Sequence, residues 1–230
     1  MCGRFTLVAF WEQLAEEFEL VGAGELRPRF NIAPTQVVPV VRVHSERGVR
    51  RLDALRWGLI PFWAKDASIG SRMINARSEE AADKPSFRTP LRQRRCLVPS
   101  SGFYEWKALD ADAGCTKSRK QHYYIRRRDE RLFAFAGLWD RWQGSDGEAI
   151  ESFSILTTEP NELIRPLHNR MPVILGRDDY DLWLDPDVQE VGRLQRLFRP
   201  FPLDELTVFP VGTRVNSPSN DDPSCVQSAP

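Results

Sequence analysis

Apolar residues recur at helical spacing over residues 8–20 (VAFWEQLAEEFEL), which predicts an amphipathic helix. Beyond it the pattern shortens to apolar runs and alternations of strand length. Residues 37–43 (VVPVVRV) and 52–57 (LDALRW) predict two strands, with Pro39 pointing to an edge or a bulge. Gly58-Leu59-Ile60-Pro61-Phe62-Trp63 then opens an aromatic loop that runs to about residue 72. Ser78 is placed to N-cap a short helix over 79–84. Short strands are predicted over 95–98 and 103–106, around a turn at Pro99-Ser100-Ser101-Gly102. Further β-type runs cover 122–128, 132–139 and 152–157. Thr158 followed by Pro160 marks a helix start, and residues 171–175 form an apolar run. Two short helices are predicted over 178–184 and 188–198, and a strand over 206–211. The polar stretch 107–121 predicts a projecting loop, and the Ser-, Pro-, Asn- and Asp-rich stretch 217–230 a disordered tail. Strands and helices do not alternate regularly, so the pattern predicts an α+β fold rather than a parallel βαβ sheet.

Composition bounds the function. With 41% hydrophobic and 28% charged residues the 230-residue chain reads as globular, and no run is long enough to span a membrane. The start has no basic-plus-apolar signal peptide, so the cytoplasm is the expected location and Cys2, Cys96, Cys115 and Cys225 are expected as thiols. These cysteines form no CxxC pair and the three histidines are scattered, which argues against a metal site. Net charge is zero, unlike a typical nucleic-acid module. The charges are segregated, however. Arg72–Arg95 carries seven bases against three acids and Lys117–Arg131 seven against two. Glu12–Glu25 and Asp178–Glu190 hold acids without bases. Segregation of this kind can build a basic face on a neutral protein, or can amount to solvated helix faces and a basic loop.

Candidate chemistry starts at Met1-Cys2-Gly3-Arg4-Phe5. Removal of Met1 would leave Cys2 with an α-amine, of pKa about 8, beside its thiol. Such a 1,2-aminothiol condenses with an aldehyde to an imine, and the thiol then closes a thiazolidine. It can equally serve as an acyl-transfer nucleophile with its own amine as base. Three further segments set polar groups among apolar ones. Asn75, after Met73 and Ile74, is either a buried orienting amide or a strand end, and Arg77 beside it could hold a phosphate. Glu105, between Tyr104 and Trp106, is either desolvated and suited to acid–base work, or exposed, or paired with an arginine. His168, between a predicted helix and an apolar strand, is either a proton-transfer group or a structural histidine. Phe62 and Trp63 in the aromatic loop could stack on a base or simply join a core.

In order along the chain, MCGRF, RFNIAP (29–34), WGLIPFW (57–63), INARSE (74–79), GFYEWK (102–107) and HNRMPVIL (168–175) resemble the SRAP domain. That family is named for association with the bacterial SOS response and a suspected peptidase activity. Its members shield abasic sites in single-stranded DNA by crosslinking to them. The resemblance covers residues 2–216, and implies one domain with a mixed, largely antiparallel, barrel-like β core flanked by short helices. It implies that Cys2 crosslinks, that Asn75 hydrogen-bonds Cys2 and the opened sugar, that Glu105 shuttles protons, and that His168 serves ring opening and reversal. Arg4, Arg77 and Arg170 fall at phosphate contacts, Trp63 in a loop that wedges beside the lesion, and Asn31 and Thr157 among lining residues. The implied partner is single-stranded DNA containing abasic sites, with no cofactor, no metal and no membrane. The implied protein is a monomer, associated with the bacterial nucleoid when bound to DNA. Self-removal of Met1, lyase activity and crosslink reversal come with the same resemblance.

Departures are visible too. Eleven residues separate Trp63 from Asn75, longer than in some relatives, and Ala64 stands where a second Trp can occur. The 107–121 loop and the tail look particular to this chain. Two other classes stay open: an N-terminal-nucleophile amidohydrolase or peptidase using Cys2, and a noncovalent DNA-binding module in which Cys2 is incidental.

Overall fold

The computed structural model describes residues 2–44, 48–109, 120–145 and 147–229. Its strands, in chain order, are β1 (Phe5–Leu7), β2 (Arg29–Ile32), β3 (Val37–His44), β4 (Val49–Trp57), β5 (Asn75–Arg77), β6 (Arg95–Ser100), β7 (Gly102–Ala108), β8 (Lys120–Arg127), β9 (Phe133–Gln143), β10 (Ala149–Thr158), β11 (Met171–Pro172), β12 (Ile174–Leu175) and β13 (Leu206–Val211). Three short α-helices accompany them: α1 (Trp11–Phe18), α2 (Arg88–Gln93) and α3 (Tyr180–Leu184).

Strands β10, β4, β3, β6 and β9 follow one another in one sheet, and β9 pairs back onto β10 through seven residue pairs. That last ladder closes a five-stranded barrel, in an α+β single domain as the sequence implies. A second sheet, ordered β13-β8-β7-β1-β2, lies against it. Alternation decides which residues join the two. Phe5 of β1 sets its ring 5.1 Å from Trp57 and 5.7 Å from Phe135, and Phe103 of β7 lies 5.9 Å from Phe135. All four are essentially buried. Edge-on aromatic pairs of this kind add to the burial of large apolar areas.

The other face of the second sheet carries a smaller cluster of Tyr104, Tyr124, Val211 and Val215. Neighbours on β7 therefore face opposite ways: Phe103 and Glu105 toward the main core side, Tyr104 and Trp106 away from it.

Several sequence expectations change. The helix predicted over 79–84 is a chain of turns, with Glu80 N donating to Arg77 O and Asp83 N to Glu80 O. Pro85 stops any continuation, and the Ser78 amide is drawn to Thr157 O instead of starting a helix. After Thr158 there are turns rather than a helix, since Pro166 interrupts and Thr158 Oγ1 donates to Phe198 O. Residues 191–197 form 3-10 turns. The 171–175 run splits at Val173 because β11 pairs with β10 and β12 with β9. Pro99 and Ser100 belong to β6, not to the turn after it. Of the predicted 107–121 loop, the flanking residues extend β7 and β8, while 110–119, with Cys115, lie outside the described residues.

Residues 217–229, expected to be disordered, fold back onto the second sheet. Asp221 accepts from the Phe30 and Asn31 amides and pairs with Arg29. A 3-10 turn at Pro223–Val226 buries Cys225, and Ser228 bridges to Val211. Polar composition misleads here because these side chains serve as acceptors for backbone groups rather than as solvated surface. Asp221→Ala should therefore lower stability by about 2 kcal/mol in a urea melt, since two backbone donors and a guanidinium lose their acceptor. A solvated tail would give no change.

Candidate functional site

The start of the chain runs beside β7, where the Tyr104 amide donates to Arg4 O. This pairing carries Cys2 up to Glu105. Cys2 is fully buried, and its Sγ lies 3.9 Å from Arg4 O. Burial pushes the Cys2 thiol up, and the Glu105 carboxylate adds to the effect, so sulfur stays protonated at neutral pH. Glu105 is 2% exposed. Burial raises its carboxyl to about 7, against the opposing pull of the chain's α-amine. Glu105 is thus a desolvated acid rather than an exposed one.

Asn75 opens β5, which runs parallel to β10 with Asn75 opposite Ile155. Its Nδ2 donates to Cys2 O at 2.8 Å. Its Oδ1 is buried and has no hydrogen-bond partner among the described residues. A buried acceptor in that state costs free energy.

His168 follows the turns after β10. The Arg170 amide donates to its Nδ1 at 3.0 Å. Burial lowers its pKa, helped by the chain's α-amine and opposed by the Arg170 backbone hydrogen bond. A neutral imidazole that accepts at Nδ1 carries its proton on Nε2, so His168 presents a donor there. His168 shares an open depression of about 600 Å³ with Arg77, Glu79, Glu80, Glu159, Asn169 and Arg170.

The structure sorts the remaining sequence candidates. Arg170 forks onto Glu79 with two 2.8 Å bonds and also reaches Thr157 O. Arg77 is exposed and pairs with Glu80. Thr157 is fully buried, bonded to Ala76 O, and serves as a support for Arg170 rather than a surface group. Asn31 is also fully buried. Its Nδ2 donates to Val215, Ser217 and Asn220 carbonyls, and its Oδ1 accepts from Arg4. Asn31 thus ties Arg4 to the C-terminal segment, and Arg4 donates onward to Val215 O and sits 6.0 Å over the Trp106 ring.

Trp63 and Phe62 are 48% and 58% exposed. Their loop returns to Asn75 through backbone bonds, with Leu59 N donating to Met73 O and the Trp57 indole to Ile74 O. Gly58, at φ +122°, lies so near Gly70 that a Cβ would come within 2.5 Å of the Gly70 carbonyl. The expected basic face is thinner than the sequence count. Arg95 is buried, caged by four backbone carbonyls, and pushed down to about 10 by desolvation. Arg72, Arg77, Arg88 and Arg92 remain exposed.

Among the described residues no group of His, Cys, Asp or Glu is arranged to hold a metal, and no helix is long and apolar enough to cross a membrane. Sequence reading overlooked Glu79, the partner of Arg170, and Asp140, an acid within the apolar run FAGLWDRW. That position carries the same signal that drew attention to Glu105.

The sequence pattern of the SOS response associated peptidase family, SRAP, matches residues 1–218. Abasic site processing protein YoqW of Bacillus subtilis (strain 168) is 41% identical over 231 residues, covering 99% of this chain and 100% of that protein. Abasic site processing protein HMCES of Mus musculus is 31% identical, covering 88% of this chain and 65% of that protein. A crystal structure from Bacteroides thetaiotaomicron superposes with a TM-score of 0.85 at 28% identity, covering 99% of this chain and 100% of that one.

The raised Glu105 carboxyl has a stability signature. Folded protein binds its proton more tightly than unfolded chain, so stability falls as pH rises from about 4.5 to about 7 and is level above. Glu105→Gln should remove this slope. The variant should be more stable than the parent at pH 8 by about 2–3 kcal/mol in urea melts, the gap closing below pH 5.

Proposed function

The chain belongs to the SOS response associated peptidase family, and from that premise we propose that it processes abasic sites in single-stranded DNA by capturing them covalently through Cys2. The names of the two abasic site processing relatives support the target. The observation that carries the mechanism is the Asn75 amide on the Cys2 carbonyl with Glu105, raised to about 7, beside it. A reactive residue whose backbone is fixed and whose neighbour is a half-protonated acid at neutral pH is equipped for imine chemistry.

Met1 is removed first, leaving Cys2 with a free amine. An abasic sugar opens to an aldehyde at C1′: His168 donates from Nε2 to the departing ring oxygen, and the C1′ hydroxyl proton passes through water back to the imidazole. The Cys2 amine adds to the carbonyl carbon, Glu105 moves the protons, and one water departs to give an imine. The thiol, kept protonated by burial, then adds across the C=N bond. Its sulfur bonds to carbon and its proton passes to nitrogen, closing a thiazolidine. No oxidant or reductant is consumed. Closure removes the imine that would otherwise favour β-elimination and strand breakage. Asn75 Oδ1 accepts from the sugar, while Arg4, Arg77 and Arg170 meet phosphates on either side. Arg170 exchanges the Glu79 carboxylate for a phosphate, an exchange of like partners. Trp63 and Phe62 stack on a neighbouring base, which gives binding with little sequence preference and strong salt dependence.

Mixing the Met1-processed protein with a single strand bearing one abasic site should give a heat-stable shifted band on a denaturing gel. Cys2→Ala and intact DNA should give none. Glu105→Gln should slow the band's appearance about 100-fold at pH 7. Absence of a band with confirmed Met1 removal would sink the mechanism and turn attention to glutamine hydrolysis or noncovalent binding.

A further inference from the structure

The aromatic loop poses a mechanical problem. Phe62 and Trp63 are exposed, so neither ring is oriented by burying itself in the core. A 16-residue connection between Trp57 and residue 74 has many conformations to lose, and an unheld platform would lose them at the moment of stacking. Something beneath the loop must set its shape.

Ala64 N donates to Pro61 O, so Pro61–Ala64 is a β-turn with Phe62 and Trp63 at its two corners. Every second residue along this stretch is bonded by a side chain from the barrel. Ile60 N donates to Ser152 Oγ at 2.8 Å, Phe62 N to Asp140 Oδ2 at 3.0 Å, and Ala64 O accepts from the Trp142 indole at 2.7 Å. Ser152 and Asp140 are register partners across β9 and β10, and Trp142 is two residues further along β9. The turn is thus gripped at its entry and its exit from one face of a single ladder, by residues two rungs apart. Ser152 and Asp140 are essentially buried. The other oxygen, Oδ1, accepts from Arg94 Nη1 at 2.5 Å and from the Arg141 amide. Arg94 also cancels a negative charge that would otherwise face incoming phosphates.

Resting on the single-stranded DNA reading above, we infer that Asp140 and Ser152 are positioning residues that hold Phe62 and Trp63 as a preformed stacking platform. Their contribution is to affinity for the strand, not to the covalent step at Cys2. A charged acceptor suits Asp140 because hydrogen bonds to an ionised group are shorter and stronger than neutral ones. Preforming the turn removes an ordering cost from binding.

Fluorescence anisotropy with a short labelled intact single strand separates binding from crosslinking. Trp63→Ala should weaken binding about tenfold, as loss of one stacking contact does. Asp140→Ala and Ser152→Ala should each weaken it about fivefold, and neither should lose anything further when added to the Phe62→Ala/Trp63→Ala pair. Asp140→Asn, which keeps an oxygen for Phe62 N but sets an amide NH2 against Arg94 and the Arg141 amide, should fall between the parent and Asp140→Ala. With the abasic strand, Asp140→Ala should raise the half-saturating concentration and leave the crosslinking rate at saturation unchanged. Parent-like binding by a folded Asp140→Ala, or losses that multiply with that of the Phe62→Ala/Trp63→Ala pair, would overturn the positioning role alone. Parent-like binding by Trp63→Ala would overturn the stacking reading and this inference with it.

Discussion

Strand β10 has both of its edges occupied, and the arrangement of the site depends on that. One edge is laddered to β9 and then to β11, and the other meets β4 and then β5. With the barrel closed, the strand cannot slip, since a one-residue shift would turn Phe153 and Ile155 out of the core. The polar residues interleaved with that apolar set inherit its precision. Ser152 faces the aromatic loop, Ile155 fixes the register of Asn75, and Thr157 holds Arg170 and the amide of Ser78. Groups distant in sequence are spaced by one ladder.

Glu105 and Cys2 are positioned by a different device. They sit where β1 and its N-terminal extension run beside β7, so the reactive residue and its acid are set by strand pairing. The same alternation that sends Phe103 into the aromatic core sends Glu105 to the same side, which is why the carboxyl is desolvated. Packing thus produces the electrostatic property: the more completely the aromatic cluster excludes water, the higher the proton affinity of the acid beside it. His168 is tuned in the opposite direction by the same cause, and its tautomer is fixed by a backbone amide two residues away.

How much of this was legible in the sequence depends on whether the deciding interaction is local. Strands β3, β4, β8 and β10 could be read because alternation is a local pattern; Cys2 drew attention as a candidate by its place at the start of the chain, and Asn75, Glu105 and His168 by standing beside apolar residues. The helix expected at 79–84 failed because the Ser78 amide is claimed by Thr157, far along the chain. The 171–175 run could not be seen to split, since its two halves pair with different strands. Asn31 lay in a diagnostic string, yet its side chain is used up by carbonyls 184 to 189 residues away. Long-range hydrogen bonds of this sort leave no periodicity to detect. Asp140 left a signal, a lone acid in an apolar strand, whose meaning needed the loop above it.

The C-terminal segment has a consequence for self-association. A closed barrel has no free edge, but the second sheet has two, at β2 and β13. Both are covered from the same stretch of chain. Asp221 takes the Phe30 and Asn31 amides of β2, while Ser228 bridges to Val211 and the Ala229 amide donates to Pro210 O on β13. Exposed strand edges are templates for pairing with another copy. A segment whose composition suggests a dispensable extension therefore works as an edge guard. With both edges covered, neither is left open as a template for a strand of another copy.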